Sequence, residues 1–290
     1  MRVGYLGLGA MGRPMAANLA ASFPTTVWNR THAVAVAHVA NHGGAAVANL
    51  TELAGVDVVC SCLPTDAEVA DVAAELGPRL APGTVWLDHT SGAPAGSRAV
   101  AASLAVHGVD YLDVPVSGGP QGAAEASLTV MVGGDIEVLE RVRPVLAAVS
   151  RRIVPVGPVG AGMAVKAVNN ALLATSLRAT AEGLTALQAA GVPASTALEV
   201  INTASGRSMA SQVVLPERVL TRAFPHTFAL DLLAKDVGIA EQLIAEVGAD
   251  GSLIGHVGAL VRAAATTLGP DADHVELVRL LEQAAGVELR

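Results

Sequence analysis

Short apolar stretches and helical patterns alternate through the first half of the chain, and this alternation constrains the fold more than any other feature. The stretches Arg2–Leu6, Thr25–Trp28, Val56–Cys62, Thr84–Asp88 and Val109–Leu112 are rich in β-branched residues. Between them lie helical patterns at Met11–Ala20, Thr31–Asn41, Asp66–Leu76 and Pro94–Val106. Strand and helix in turn predict crossover units and a mostly parallel sheet. The strands are apolar throughout rather than alternately, as expected of a sheet covered on both faces. Ser127–Val132 and Arg152–Val156 read as further strands around a helix over Ile136–Ala148.

After Pro158 the pattern changes. One long helix is expected from Met163 to about Ala190, followed by helices over Ala194–Thr203, Asp231–Val247, Leu253–Leu268 and His274–Ala285, separated by Pro193, Pro216, Pro225 and Pro270. The fold class is therefore α/β: an N-terminal Rossmann-type, mostly parallel sheet domain over 1–159. An all-helical domain over 160–290 follows, joined by the long helix. A helix of that length at a junction suits subunit contacts, so a homo-oligomer, dimer or tetramer, is expected.

The segment Gly7-Leu8-Gly9-Ala10-Met11-Gly12 has the spacing G-x-G-x-x-G. It follows an expected strand and opens an expected helix, the context such a motif needs to hold a dinucleotide. The first glycine permits the tight turn, the second lets the backbone approach a diphosphate, and the third packs helix on strand. At the end of the second strand stand Asn29, Arg30 and Thr31, with no carboxylate at that strand end. Arg30 can fork onto a 2′-phosphate, and Asn29 and Thr31 can donate hydrogen bonds. NADP is therefore expected in preference to NAD, with NAD possible. Thr31 could equally cap the next helix.

Composition excludes several classes. A net charge of −8 argues against nucleic acid as the main partner. The apolar runs are broken by Gly, Pro, Asp or Lys, so no membrane span is expected. No secretory signal precedes the first strand, and a cytoplasmic protein is expected. Cys60 and Cys62 lack metal-ligand spacing and the eight histidines are scattered, so no metal site is expected.

Two further segments carry polar groups in unusual settings. In Asp113-Val114-Pro115-Val116-Ser117-Gly118-Gly119-Pro120, a hydroxyl and two glycines expose amides that suit a carboxylate, though a surface turn would look the same. In Gly160–Asn170, Lys166 and Asn170 are one helical turn apart and share a face. Lys166 sits among Ala, Val and Met. A desolvated lysine can exchange protons near neutrality, whereas a lysine near a helix start is often a surface residue.

Taken together, GLGAMGRPMAANL (Gly7–Leu19), DVPVSGG (Asp113–Gly119), GAGMAVKAVNN (Gly160–Asn170) and the pair Lys235-Asp236 resemble the β-hydroxyacid dehydrogenase family over essentially the whole chain. The resemblance implies a hydride transfer between a nicotinamide dinucleotide and a small β-hydroxy acid or its semialdehyde. It implies Lys166 as catalytic acid/base, Ser117, Gly118 and Gly119 on the substrate carboxylate, and Asn170 as a substrate hydrogen-bond partner. Gly7, Leu8, Gly9, Ala10 and Met11 would cradle the cofactor, with Leu63, Pro64, Ser91 and Lys235 lining its site. One departure is Asp88-His89-Thr90-Ser91, where the family often has Asp-x-Ser-Thr; the two hydroxyls are exchanged. His89 has no family role. Rival readings are a tartronate-, glyoxylate- or succinic-semialdehyde reductase and, from another class, a catalytically silent dinucleotide-binding scaffold.

Overall fold

The computed structural model describes residues 1–290. The chain divides into two compact units, 1–166 and 167–290.

The first unit is built on one nine-stranded sheet. Its strands are β1 (Val3–Leu6), β2 (Thr25–Trp28), β3 (Ala45–Ala46), β4 (Val58–Ser61), β5 (Val85–Asp88), β6 (Asp110–Asp113), β7 (Val116–Ser117), β8 (Leu128–Gly133) and β9 (Ser150–Gly157). The spatial order is β3-β2-β1-β4-β5-β6-β8-β7, with β9 also on β8. The first six strands pair in parallel. β8 runs antiparallel to β6 and β7 and parallel to β9. The helices are α1 (Gly12–Ser22), α2 (His32–His42), α3 (Asp66–Leu76), α4 (Pro94–Ala105), α5 (Gly119–Ala124) and α6 (Ile136–Ala147). This is the Rossmann-type arrangement expected from the alternation.

Alternate strand residues feed two separate cores, as the two-residue period of a strand requires. Val3 and Tyr5, Val58 and Cys60, and Val85 and Leu87 enter one. Leu6, Val59 and Trp86 enter the other. Both faces are thus filled, which is why the strands read as continuously apolar. Chain order reverses between β1 and β4, and parallel sheets bind ligands beyond the carboxyl ends of their strands at such a switch.

The long helix α7 (Ala161–Ala189) begins in the first unit. Buried Asp113 at the end of β6 accepts from the amides of Gly160 at 2.7 Å and Met163 at 2.9 Å. These bonds tie the first turns of α7 to the sheet, and the two compact units divide within the helix, after residue 166. Gly160 has φ +94°, and a Cβ on Gly162 would lie 2.6 Å from the Met131 carbonyl oxygen. A side chain at either position would break the junction.

The second unit contains the rest of α7, α8 (Ala194–Thr203), α9 (Leu230–Glu246), α10 (Ser252–Leu268) and α11 (Leu277–Ala285) around Leu177, Leu184, Leu198, Leu215, Leu233 and Leu277. It differs from expectation at two places. Pro216 does not separate helices but lies inside a π-helical segment, Ala210–Leu220. The wider winding accommodates a ring that would strike the i−4 carbonyl of an α-helix. The segment expected as one helix from His274 starts as a 3₁₀ turn, His274–Glu276, with buried Asp273 accepting from the amides of Thr227, Phe228 and Val275. No helix is long and apolar enough to cross a membrane.

Candidate active site

The glycine turn has the geometry that close approach of a diphosphate requires. Gly7 has φ +94°, and a Cβ there would lie 2.3 Å from the carbonyl oxygen of Cys62. A Cβ on Gly12 would lie 2.0 Å from the carbonyl oxygen of Gly7, so the start of α1 rests directly on the turn. A Cβ on Gly9, by contrast, would meet nothing within 4 Å. Its backbone therefore borders open space beside the first turn of α1, where no side chain caps the helix. Uncapped amides and the positive end of the helix dipole fit an anion. Gly9 and Ala10 are exposed and Met11 half-buried, so the residues present fit a dinucleotide diphosphate.

Asn29 closes this turn from the second strand. Its Oδ1 accepts from the Leu8 amide at 3.1 Å, and its Nδ2 donates to the Thr31 carbonyl at 3.1 Å. Thr31 precedes α2 but makes no capping bond with its side chain. The Arg30 side chain is 84% exposed and faces Glu68 of α3, Nη1 to Oε1 at 3.4 Å. A carboxylate therefore stands beside Arg30 after all, delivered by another element. Glu68 escapes a reading of the strand end because it lies 38 residues downstream of Arg30. Its capping box with Thr65 is legible as T-x-x-E, but its ion partner is not.

The ends of β4 and β5 are locked together by a buried polar network. Asp88 accepts from Ser61 Oγ and Tyr111 Oη, each at 2.9 Å, and from the Thr90 amide at 3.0 Å. Trp86 Nε1 donates to Ser61 Oγ at 2.9 Å. Burial raises the Asp88 carboxyl to about 6 despite these donors. The Leu63 amide donates to Thr90 Oγ1 at 3.0 Å. Of the exchanged hydroxyl pair, Thr90 is therefore buried in the scaffold, while Ser91 is half-buried and Pro64 exposed. His89 is buried, its Nδ1 against the Val114 carbonyl, and burial lowers its pKa to about 4. It is neutral at physiological pH and packed into the sheet.

The carboxylate-binding candidates do not form a simple turn. Val116 and Ser117 make the two-residue strand β7 on β8, and Gly119 opens α5. Gly118 has φ +138° and Gly119 φ +64°, so the chain reverses on two positive-φ glycines. Ser117 is half-buried, and both glycines are exposed.

Lys166 is half-buried on α7. Asn170, one turn on, is buried; its Nδ2 donates to Asp236 Oδ2 at 2.6 Å, and its Oδ1 accepts from Asn169 Nδ2 at 3.2 Å. Lys235 Nζ lies 3.4 Å from Asp236 Oδ1. Asp236 therefore joins two of the sequence-predicted residues, a link visible in sequence only as the Lys-Asp pair.

Known proteins match along the whole length. Residues 2–160 match the model of the NAD-binding domain of 6-phosphogluconate dehydrogenase, and residues 160–281 that of the NAD-binding region of NADP-dependent 3-hydroxyisobutyrate dehydrogenase. The 2-(hydroxymethyl)glutarate dehydrogenase of Eubacterium barkeri is 37% identical over 257 residues, covering 87% of this chain and 84% of that protein. The NAD-dependent L-serine dehydrogenase of Pseudomonas aeruginosa is 36% identical, covering 83% and 84%. The structure of Mycobacterium tuberculosis 3-hydroxyisobutyrate dehydrogenase with L-serine superposes with a TM-score of 0.89 at 33% identity, covering 97% and 98%. Fold, glycine turn and relatives define an NAD(P)-dependent dehydrogenase acting on CH–OH groups. The chain belongs to the β-hydroxyacid dehydrogenase family.

Proposed function

We propose that this enzyme interconverts a 3-hydroxypropionate substituted at C2 and its semialdehyde, with 3-hydroxyisobutyrate as the first candidate substrate and NADP preferred over NAD. The names of the relatives support the class. 2-(Hydroxymethyl)glutarate, L-serine and 3-hydroxyisobutyrate share one skeleton, a primary alcohol and a carboxylate flanking C2, and differ in the C2 substituent. The observation that carries the reading is Lys166, half-buried on a helix whose first turn is clamped to the strand leading into Ser117.

Gly7–Met11 would hold the diphosphate of the dinucleotide, Arg30 with Asn29 and Thr31 its adenosine ribose end, and Leu63, Pro64, Ser91 and Lys235 the remainder. The dinucleotide supplies the hydride acceptor. The Ser117 hydroxyl and the Gly118 and Gly119 amides bind the substrate carboxylate. Asn170, fixed by Asp236, orients the alcohol. Lys166 Nζ takes the hydroxyl proton as hydride leaves the carbinol carbon, and returns it in the reverse direction. Residues 160–290 supply substrate and subunit contacts in a homo-oligomer, dimer or tetramer.

The test is a panel of C2-substituted 3-hydroxypropionates, followed at 340 nm with each cofactor. At least one should turn over, and Lys166→Ala should lower kcat by roughly 10²–10⁴ while leaving the dissociation constant of NADPH within about twofold. A wild-type enzyme silent on the whole panel, or a Lys166→Ala variant of normal rate, would reject the reading.

A further inference from the structure

We propose that Glu68 is a specificity-determining residue of this enzyme: its carboxylate competes with a cofactor 2′-phosphate for Arg30 and narrows the margin by which NADP is preferred. The inference rests on the reading of Arg30 as the 2′-phosphate ligand.

Glu68 is not a passing surface neighbour. Its Oε2 accepts from the Thr65 amide at 3.1 Å and the Thr65 hydroxyl at 3.3 Å, and its own amide donates back to that hydroxyl. This capping box at the start of α3 fixes the side chain, and the positive end of the helix favours its ionised form. Oε1 is thereby left pointing at the Arg30 guanidinium. Arg30 follows β2 and Glu68 lies in the first turn of α3, which follows β4, so the two flank β1 and its glycine turn from opposite sides in the sheet order.

Two charges then oppose each other for one ligand. A 2′-phosphate docking on Arg30 would meet a fixed negative charge a few ångströms away. Docking requires either loss of the ion pair or tolerance of the repulsion, and neither cost falls on a 2′-hydroxyl. NAD instead meets an acceptor of the kind dehydrogenases usually place at the end of the second strand. Here it arrives from α3, beside Arg30. A neutral side chain at 68 should therefore strengthen NADP binding selectively.

The experiment is direct titration of NADPH and NADH by nicotinamide fluorescence on the full chain, which needs no substrate. Glu68→Gln keeps the length and acceptor of the capping box, so its thermal midpoint should stay near wild type. It should raise the ratio of NADH to NADPH dissociation constants by roughly 3- to 30-fold, and by less in high salt. Arg30→Ala should lower that ratio, and adding Glu68→Gln to Arg30→Ala should raise it by less than Glu68→Gln does alone. An unchanged ratio in Glu68→Gln alongside a lowered one in Arg30→Ala overturns the inference and leaves the role of Arg30 standing. An unchanged ratio in both overturns the two together. Parallel loss of both nucleotides in Glu68→Gln assigns Glu68 to helix capping alone and also overturns it.

Discussion

Asp88 accepts three hydrogen bonds and yet is easier to protonate than a carboxylate in water. Burial outweighs the bonds from Ser61, Tyr111 and Thr90 and brings its pKa up to about 6. A raised pKa means that the folded state binds the proton more tightly than the unfolded chain, where an aspartate titrates near 4. The contribution of Asp88 is therefore complete below about pH 4 and is lost as pH rises through about 6, a decline on the order of 3 kcal/mol. Asp88→Asn should flatten this part of the profile. Between pH 4 and 7 the urea midpoint should fall in wild type and fall less in the variant; parallel curves for the two proteins would refute the assignment. Sequence showed the residue but not its state, because the network draws on Ser61, Trp86 and Tyr111 from three different strands. The glycine turn was legible since its demands are local. The bond from the Leu8 amide to Asn29 was not, because it depends on the parallel register of β1 with β2.

Among the elements, the start of α7 carries the proposed chemistry. Asp113 reaches from the end of β6 to the amides of Gly160 and Met163, one turn before Lys166. Asp113 is a positioning residue here: it touches no reacting atom but fixes the helix that bears one. Asp113→Ala would leave two buried amides without acceptors, at roughly 2–5 kcal/mol. It should lower the urea midpoint and reduce kcat more than it weakens NADPH binding. A variant as stable and as fast as wild type would show that the helix start holds itself. Periodicity found α1–α4 and α6–α11 because each is long enough to show an apolar face. It did not find β3, β7 or α5, which have two, two and six residues and no period to read. The same brevity hid the strand nature of Ser117, whose segment looked like a turn because two glycines follow it.

At the level of the whole molecule, alternation was enough for a parallel sheet and its loss after Pro158 enough for a helical second half. Neither could specify neighbour order, so the antiparallel insertion of β8 between β6 and β7 had no signature. The proposed assembly is also argued at this scale. Val165, Val168 and Leu172 are 41%, 39% and 56% exposed on α7, at spacings of three and four that make one apolar ridge. Light scattering of the purified enzyme should give at least twice the 29.1 kDa chain mass. Replacing Leu172 by Asp should shift it toward the single-chain value; a wild-type mass of one chain would remove the assembly.

Position 29 has two duties at once. The side chain that follows the second strand also holds an amide of the glycine turn, so a substitution that removes its oxygen loosens that turn. Of the side chains of that length, only asparagine and aspartate offer the Leu8 amide an oxygen at the same reach. At position 29, therefore, Asn29→Asp keeps the hold on the turn and gives up only the Nδ2 donor to the Thr31 carbonyl, whereas any other exchange lets the turn go.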